Sequence, residues 1–335
     1  MGPLVSILIP CYNAERWIAQ SIESALAQTW VQKEIVVVDD GSTDRSLDVI
    51  RQYEGRIHWE TSPNQGGNAA RNRLLELARG EWLQYLDADD YLLPAKVARQ
   101  IEFAREHPDC DVIYGPVAWE RIENGTLLCA EFPIPEPRDP WVLLALWHLP
   151  QTGGPLWKKA TLKSVGGWRI GQPCCQEHEL YCRLLEAGSR FEYFKECLSV
   201  YRDLEEDQRI TRRTRALPGE FERQRLVILE RIETHLAQGT ELTPARRQAV
   251  NDARHQLARR LWGTDYHFAM SIHRRILTSD NSFIPTMAPS SPLLYSVAYR
   301  LLGFRRAQIA ASYGRFFTRR LRVLKIRPTA DSAAS

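Results

Sequence analysis

The 335-residue chain lacks the signs of several protein classes. Its seven cysteines are odd in number and include no C-x-x-C pair, which argues against a disulfide framework and against a zinc site. No stretch approaches the roughly 18 unbroken apolar residues of a membrane-spanning helix. The start, Met1-Gly2-Pro3, has neither a basic flank nor a small-residue cleavage site, so no signal peptide is expected. We therefore expect a protein of the reducing cytoplasm.

Acidic residues are absent from 300–327, although the net charge of the whole chain is only +3. In that segment arginines alternate with apolar residues that fall near one helical face: Ile309, Tyr313, Phe316, Phe317, Leu321 and Leu324. This pattern predicts a basic amphipathic helix over 305–327. It predicts either peripheral contact with the anionic inner face of the cell membrane or a terminal helix docked on the domain.

What is present is typical of a globular protein, with 44% hydrophobic and 25% charged residues. Up to Pro108, short β-rich runs alternate with helical periodicity, as in the strand-like segments Val5–Ile9, Ile35–Val38 and Trp82–Leu86. This alternation predicts an α/β fold whose mixed, mostly parallel sheet is flanked by helices. A helical C-terminal extension follows, because apolar residues recur at helical spacing beyond Glu205.

The alternation of strands and helices ends after residue 110. Two β-rich runs there flank the turn dipeptide Asn124-Gly125 and predict a hairpin. We therefore divide the chain into a first domain over 1–205, a helical extension over 206–275 and a C-terminal segment over 276–335. The first domain has two parts, 1–110 and 111–205.

Carboxylates follow two of the predicted strands: Asp39 ends one, and Asp87-Ala88-Asp89 ends another. The carboxyl ends of parallel strands share one edge, where open α/β sheets bind ligands. Few carboxylates together with phosphate oxygens suit a hard cation such as Mg²⁺ or Mn²⁺. The first strand is followed by no G-x-G-x-x-G, which argues against a dinucleotide-dependent oxidoreductase.

Four segments in this order resemble the signatures of the inverting family 2 glycosyltransferases, which have the GT-A fold. They are Val5–Glu15, Val38–Asp44, Asn64–Asn72 and the D-x-D motif Asp87-Ala88-Asp89-Asp90. The resemblance covers roughly the first two-thirds of the chain. It implies a nucleotide-diphospho-sugar transferase of polysaccharide biosynthesis or the cell envelope, with a glycan or lipid-linked glycan as acceptor and no nucleic acid as partner. Residues 1–205 would be its catalytic domain, with 1–110 as the nucleotide-sugar half and 111–205 as the acceptor half.

The resemblance also implies roles for individual residues. Asp89 would hold the metal, and Asp87 would face the nucleotide and sugar. The nucleotide sugar, expected to be a UDP-sugar, would be bound by Pro10, Tyr12, Asn13, Glu15, Asp39, Asn68, Arg71, Asp87 and Ala88. For Asp44 we favour a structural role at the start of the next helix.

An inverting transfer needs a base for the acceptor hydroxyl. The family's acidic motif before a helix is matched by Gln176–Leu185, with Glu177 where the base stands, although Asp is more common there. Glu179 is the competitor and His178 a third candidate. We favour Glu177.

Other contacts to acceptor or phosphate are left open. Many family members have a histidine after a Tyr-Arg pair, but Tyr201-Arg202 is followed by none, so Arg202 or Arg209 is the candidate to neutralise the departing diphosphate. Trp157 or Trp168 could offer a platform to a sugar ring, although most of the ten tryptophans must be core.

Two other functions compete with this interpretation. A haloacid-dehalogenase-type phosphatase also carries D-x-D at a strand end, but the Asp90-Tyr91 that follows here is atypical of it. A sugar-nucleotide-binding scaffold that has lost catalysis would keep the fold, although Asp87, Asp89 and Glu177 all argue for an active enzyme.

Overall fold

The computed structural model describes residues 2–123, 126–203, 219–286 and 293–324, with only the backbone at residues 122, 293 and 313–324. The chain forms two compact units, Met1–Glu241 and Leu242–Ser335. The break falls later than the predicted boundary at 205, because the helix Glu220–Gln238 packs against helices of the first unit. The tail beyond residue 324, like Arg209, lies outside the described residues.

A seven-stranded sheet forms the centre of the first unit. Its strands are β1 Val5–Cys11, β2 Lys33–Asp39, β3 His58–Thr61, β4 Trp82–Tyr85, β6 Val112–Tyr114, β9 Leu156–Lys158 and β10 Phe191–Tyr193. Their order is β10-β6-β9-β4-β1-β2-β3, and β9 pairs antiparallel with both of its neighbours while the other pairs are parallel. This confirms the predicted mixed, mostly parallel sheet.

A smaller sheet has the order β5-β11-β7-β8. Its strands are β5 Tyr91–Leu92, β7 Val117–Glu123, β8 Thr126–Phe132 and β11 Ser199–Arg202. The antiparallel pairing of β7 with β8 runs to Glu123 opposite Thr126, as expected for the predicted hairpin, although the turn residues 124 and 125 lie outside the described residues.

Helices cover the central sheet of the first unit. They are α1 Ile18–Leu26, α2 Ser46–Arg51, α3 Gly67–Leu77, α4 Lys96–Glu106, α5 Pro140–Leu146, α6 Lys159–Ser164, α7 Gln176–Glu186 and α8 Glu220–Gln238. The apolar spacing of α1 buries Ile18, Ile22 and Ala25 in the same core as Ile7 and Ile9 of β1. Burial of such faces, rather than local helix propensity, supplies most of the stability of helices in proteins.

The second unit is helical where it is described. Thr243 caps α9, Pro244–Leu261, and Asp265 caps α10, Tyr266–Ser279, each through its side-chain oxygen. The last helix, α11, spans Leu293–Leu324 and is interrupted at Gly303, where φ is 73°. The described part of the chain contains no helix with the length and apolar character needed to cross a membrane.

Candidate active site

The carboxyl ends of three parallel strands meet at one edge of the central sheet. Cys11 at the end of β1 lies opposite Asp39 at the end of β2. On the other side Leu8 pairs with Tyr85 of β4, and the N–H of Leu86 donates to the Leu8 carbonyl at 2.9 Å. The predicted D-x-D motif follows directly after this point. The structure thus brings the predicted carboxylate segments to a common edge.

The loop after β1 is fastened to the loop after β2. The Oδ1 of Asn13, a residue with φ of 49°, accepts a hydrogen bond from the backbone N–H of Thr43 at 2.8 Å. Glu15 accepts from the N–H of Arg45 at 3.0 Å. Pro10 lies within β1, and the ring of Tyr12 remains 38% exposed. An aromatic ring thus stays accessible beside two anchored polar side chains.

The two aspartates after β2 differ in their partners. Asp39, which is 1% exposed, accepts from the hydroxyl of Thr61 at 2.8 Å. Asp40 accepts from the backbone N–H groups of Gln65 and Gly66, each at 2.8 Å. Asp40 therefore holds the glycine-containing loop that begins α3.

Asp44 has the structural contacts expected of it. Its carboxylate accepts from the N–H of Ser46 at 2.9 Å, at the first residue of α2. It also accepts from the N–H of Glu15 at 3.0 Å. Asp44 thus joins the loop after β1 to the start of α2.

Arg71 of α3 connects the two halves of the site. Its guanidinium is buried and donates to Asp87 at 2.9 Å, and it approaches the amide oxygen of Asn68 at 3.5 Å. Burial disfavours its charged form, but attraction first to Asp87 and then to Glu177 outweighs this and raises the pKa of Arg71. The side-chain amide of Asn68 donates to the carbonyl of Arg169 at 2.7 Å. A single cation therefore interacts with carboxylates from both predicted halves.

The D-x-D segment is held at its far end by Arg202 of β11. The backbone N–H of Arg202 donates to Asp90 at 2.9 Å, and its guanidinium donates to the carbonyl oxygen of Asp89 at 3.3 Å. Ala88 is buried, whereas Asp89 is partly exposed. The Arg202 guanidinium lies over the ring of Tyr91, 4.8 Å from its centroid.

The two glutamates at the start of α7 have different environments. Glu177 is partly exposed and accepts a hydrogen bond from the hydroxyl of Thr152, which is itself buried. Glu179 is 3% exposed and forms ion pairs with Arg183 at 2.8 Å and with Arg231 at 3.2 Å. Arg169 approaches Glu179 at 3.5 Å. Glu179 therefore joins three segments, and Glu177 keeps the more accessible carboxylate.

His178 lies between these two glutamates in the sequence, and its side chain is buried. Its ring stacks on Trp147, with centroids 3.5 Å apart. Burial, together with the charge of Arg225, lowers the pKa of His178 well below its ordinary value. It is a neutral core residue in this structure.

The two tryptophans considered as sugar platforms are core residues. Trp157 is 0% exposed and stacks on Tyr181 at a centroid distance of 5.2 Å. Trp168 is 1% exposed, and the guanidinium of Arg71 lies 5.0 Å from its ring centroid. Neither ring presents a free face to a sugar here, which contradicts the expectation of a platform for both.

Several residues that position the site were not found from sequence. Thr152 lies 25 positions before Glu177, in a segment without readable periodicity. Arg231 belongs to a helix 52 positions beyond Glu179. Only the pair of Glu179 with Arg183 could have been found, because residues four apart share a helix face.

A cation at this edge would have to rely on few protein ligands. The described residues contain no group of three or more His, Cys, Asp or Glu side chains arranged to hold a metal ion. Asp87 is paired with Arg71, which leaves Asp89 as the predicted ligand. This donor set fits Mg²⁺ or Mn²⁺ only when phosphate oxygens and water complete the coordination, as is usual for Mg²⁺ with nucleotide substrates.

Comparisons with known proteins place this chain near a family of glycosyltransferases. Residues 6–139 match the family model described as Glycosyl transferase family 2. An uncharacterized glycosyltransferase of Haemophilus influenzae is 41% identical over 105 residues, which are 30% of this chain and 42% of that protein. The putative teichuronic acid biosynthesis glycosyltransferase TuaG of Bacillus subtilis is 41% identical over 108 residues, 31% of this chain and 43% of that protein. The match thus spans less than half the length of these curated relatives.

Solved structures support the fold over a longer range. TarS 1-349 of S. aureus superposes with a TM-score of 0.60 and 17% identity, covering 93% of this chain and 92% of that one. The same protein in complex with UDP-GlcNAc gives a TM-score of 0.54 at 17% identity, covering 83% and 91%. Together with the observed sheet, this confirms the predicted fold class.

Proposed function

Since the chain, through residues 6–139, belongs to family 2 of the glycosyltransferases, we propose that it transfers a sugar from a UDP-sugar to a hydroxyl group with inversion. The acceptor in this proposal is a glycan or a lipid-linked glycan. Similar proteins support the substrate class: one is the putative teichuronic acid biosynthesis glycosyltransferase TuaG, and another was crystallised with UDP-GlcNAc. The family match favours this function over the phosphatase alternative.

The observation that carries the proposal is the ion pair of the buried Arg71 with Asp87 at 2.9 Å, together with the charge of Glu177, which also raises the pKa of Arg71. An inverting transfer requires the departing diphosphate and the attacking hydroxyl on opposite sides of one anomeric carbon. Asp87 follows β4 at the nucleotide edge, whereas Glu177 begins the helix of the acceptor half. The attraction of Arg71 to both carboxylates supports the proposal that the donor and the acceptor bind close together.

In this proposal Glu177 accepts the proton of the acceptor hydroxyl as the new glycosidic bond forms. Its partial exposure leaves room for an acceptor, and the Thr152 hydroxyl fixes one of its oxygens. Glu179 cannot take this part without giving up its ion pairs, and His178 is enclosed by aromatic rings. We therefore assign the base to Glu177, with one displacement step and no covalent intermediate.

Asp89 is the proposed carboxylate ligand of Mg²⁺ or Mn²⁺. When bound, such a cation stabilises the charge that develops on the diphosphate leaving group. Arg202 holds the Asp89 backbone through its carbonyl and so keeps this carboxylate at the sheet edge. Because its guanidinium is directed to that carbonyl and is covered by Tyr91, we propose a positioning role for Arg202.

The donor nucleotide would lie against the loops after β1 and β2. Tyr12 offers the exposed ring, Pro10, Asn13 and Glu15 line the base, and Asp39 accepts a hydrogen bond from the uracil or the ribose. Asn68 and Arg71 would approach the sugar and diphosphate from the start of α3. The proposed location is the cytoplasm, with the basic segment 305–327 in contact with the inner face of the membrane.

A ligand-dependent thermal shift assay tests the donor site. The purified chain is melted with UDP-, GDP-, CDP- and dTDP-sugars, each with and without Mn²⁺. A ligand that binds the native state raises its stability by about 2.7 kcal/mol at 100 times its Kd. We expect metal-dependent stabilisation by UDP-sugars, lost in Asp89→Ala and kept in the control Asp109→Ala, whose side chain is exposed.

A parallel assay of sugar transfer and donor hydrolysis separates the enzyme from its main rival. Binding with metal but no transfer or hydrolysis under any condition would mean that the protein is a sugar-nucleotide-binding scaffold. Equal UDP affinity in Asp89→Ala and wild type would contradict the metal assignment.

A further inference from the structure

Two adjacent cysteines stand at the start of the helix that carries Glu177. Cys174 and Cys175 precede α7 directly, and their sulfur atoms lie 3.7 Å apart, with the Cys175 thiol donating to the Cys174 sulfur. The chain has five other cysteines, and no other two are neighbours in sequence. This pair is the only place where the chain itself enforces the proximity of two thiols.

We propose that Cys174 and Cys175 form a reversible redox site, in which closure of a disulfide between them displaces Glu177 and slows sugar transfer. The functional part of this inference rests on the proposed role of Glu177. The chemical part, disulfide closure itself, does not.

The position of the pair couples its state to the first turn of α7. Cys175 is the N-cap residue of this helix and has a left-handed backbone, with φ of 62°. Its carbonyl oxygen accepts the first α-helical hydrogen bond, from the N–H of Glu179 at 2.9 Å. Glu177 lies between these two residues. A change in the backbone of Cys175 is therefore passed directly to the segment that holds the proposed base.

Geometry shows why closure must move this backbone. A disulfide requires the sulfur atoms at about 2.05 Å, and it usually spans Cα atoms about 4.4–6.8 Å apart. Adjacent residues have Cα atoms only about 3.8 Å apart. A bond between them is consequently strained and more easily reduced, which is the property of regulatory rather than structural disulfides.

The reacting groups and their approach can be named. The Cys175 thiol donates to the Cys174 sulfur, which favours the thiolate of Cys174 and lowers its pKa, so we assign the attack to Cys174. Both sulfur atoms are largely buried, but the preceding residues Ile170, Gly171 and Pro173 are exposed. Opening of this surface loop gives a small oxidant access.

With a low-molecular-weight disulfide as oxidant, the step balances. The Cys174 thiolate attacks one sulfur of the oxidant and releases one thiol, leaving a mixed disulfide. The Cys175 thiolate then attacks the Cys174 sulfur and releases the second thiol. The protein loses two protons and two electrons, and the oxidant becomes two thiols.

Peptide mass spectrometry with a transfer assay tests the proposal. The whole protein is incubated with glutathione disulfide, and its free thiols are blocked. It is then digested, and the mass of the peptide containing both cysteines is measured. We expect it to have lost two hydrogens, and transfer to fall about 10- to 100-fold, since small displacements of reacting groups have effects of this size. Dithiothreitol should reverse both changes.

Cys174→Ser and Cys175→Ser each remove the crosslink, so one folded variant is sufficient. Either should keep its activity under the same oxidation. The exposed Cys129 reports glutathione addition elsewhere, and Cys129→Ser is the matched control that should respond as wild type does. A glutathione adduct at 174 or 175 without a crosslink would overturn the proposal, as would a crosslink that leaves transfer unchanged. Absence of transfer in the reduced wild type would instead contradict the proposed function.

Discussion

The site around Glu177 and the core of the second unit both contain titratable side chains. Arginines surround those of the site, and aromatic rings surround those of the second unit. Around the site, Asp87 and Glu179 are paired with arginines. In the second unit, His255 and His273 are buried among aromatic rings, with ring centroids of His273 and Phe304 4.5 Å apart. Neither ring nitrogen of His255 has a hydrogen-bond partner among the described residues.

This difference distinguishes side chains that are held in a fixed position by ion pairs from side chains that only fill the core. A buried carboxylate with cationic partners stays charged and has a fixed position, whereas a buried histidine without partners stays neutral and only fills space. Changes to the carboxylates should therefore affect activity or specific ion pairs. Changes to the histidines should affect stability and its pH dependence only.

Glu177→Gln tests the largest expected effect. The amide keeps the shape and the hydrogen bond from Thr152 but cannot take a proton. We expect kcat for sugar transfer to fall by about 10²–10⁴ while the UDP-induced thermal shift is unchanged. Glu102→Gln, at an exposed position of α4, is the control and should have wild-type kinetics. Full activity of Glu177→Gln would move the base elsewhere.

Glu179→Gln tests the contrasting role of the next acid. It removes the charge that holds Arg183 and Arg231, and breaking a buried pair destabilises by about 3–5 kcal/mol. Because these arginines are partly exposed, we expect about 3 kcal/mol, measured by urea unfolding. The remaining folded fraction should retain most of its kcat. A large loss of kcat with unchanged stability would mean that the two glutamates have exchanged roles.

The nucleotide half of the site was largely predictable from sequence, for a physical reason. Asn13, Glu15 and Asp40 are placed by backbone N–H groups of loops that end neighbouring parallel strands. Strand ends and turn residues leave a readable pattern, so the shared edge of β1, β2 and β4 could be anticipated. The binding roles of these residues remain predictions.

The acceptor half could be predicted only in part. The position of Glu177 was expected from a resemblance, but Thr152, Arg231 and the burial of Trp157 depend on contacts between distant segments. Tryptophan at a loop does not reveal from sequence whether its ring faces core or ligand. The break after Glu241 depends on the packing of α8 rather than on composition, and it therefore leaves no pattern in the sequence.

Acidification tests the histidine core. Burial, with lesser effects of Arg259 and His273, lowers the pKa of His255 to about 3, and burial lowers that of His273 to about 4. Their folded pKa values lie below the unfolded value near 6.5, so the unfolded state binds more protons between these limits. The contribution of the two neutral histidines to the free energy of unfolding is therefore fully present above the unfolded pKa near 6.5. It decreases as the pH falls, by about 2 kcal/mol for each histidine at pH 5.

The measurement compares unfolding free energies at pH 7 and pH 5 for wild type and His255→Phe. On acidification the free energy of unfolding of the variant should fall by about 2 kcal/mol less than that of wild type. This result would assign the effect to His255 and not to the buried His178 of the first unit. His58→Gln, at an exposed position, should behave as wild type. Equal pH dependence of wild type and His255→Phe would show that His255 is not kept neutral by its surroundings.

Thr152→Val has the smallest expected effect and tests only how Glu177 is oriented. Valine keeps the buried volume but removes the hydroxyl that donates to Glu177. A base that remains present but less well oriented should cost about 10-fold in kcat, or about 1.4 kcal/mol, with unchanged donor binding. The same exchange at Thr161, whose hydroxyl donates to Asp111 at 2.8 Å, is the matched control and should leave kcat unaltered. If both variants lose activity equally, the loss reflects general loosening of the fold, and the hydroxyl of Thr152 has no particular part in orienting Glu177.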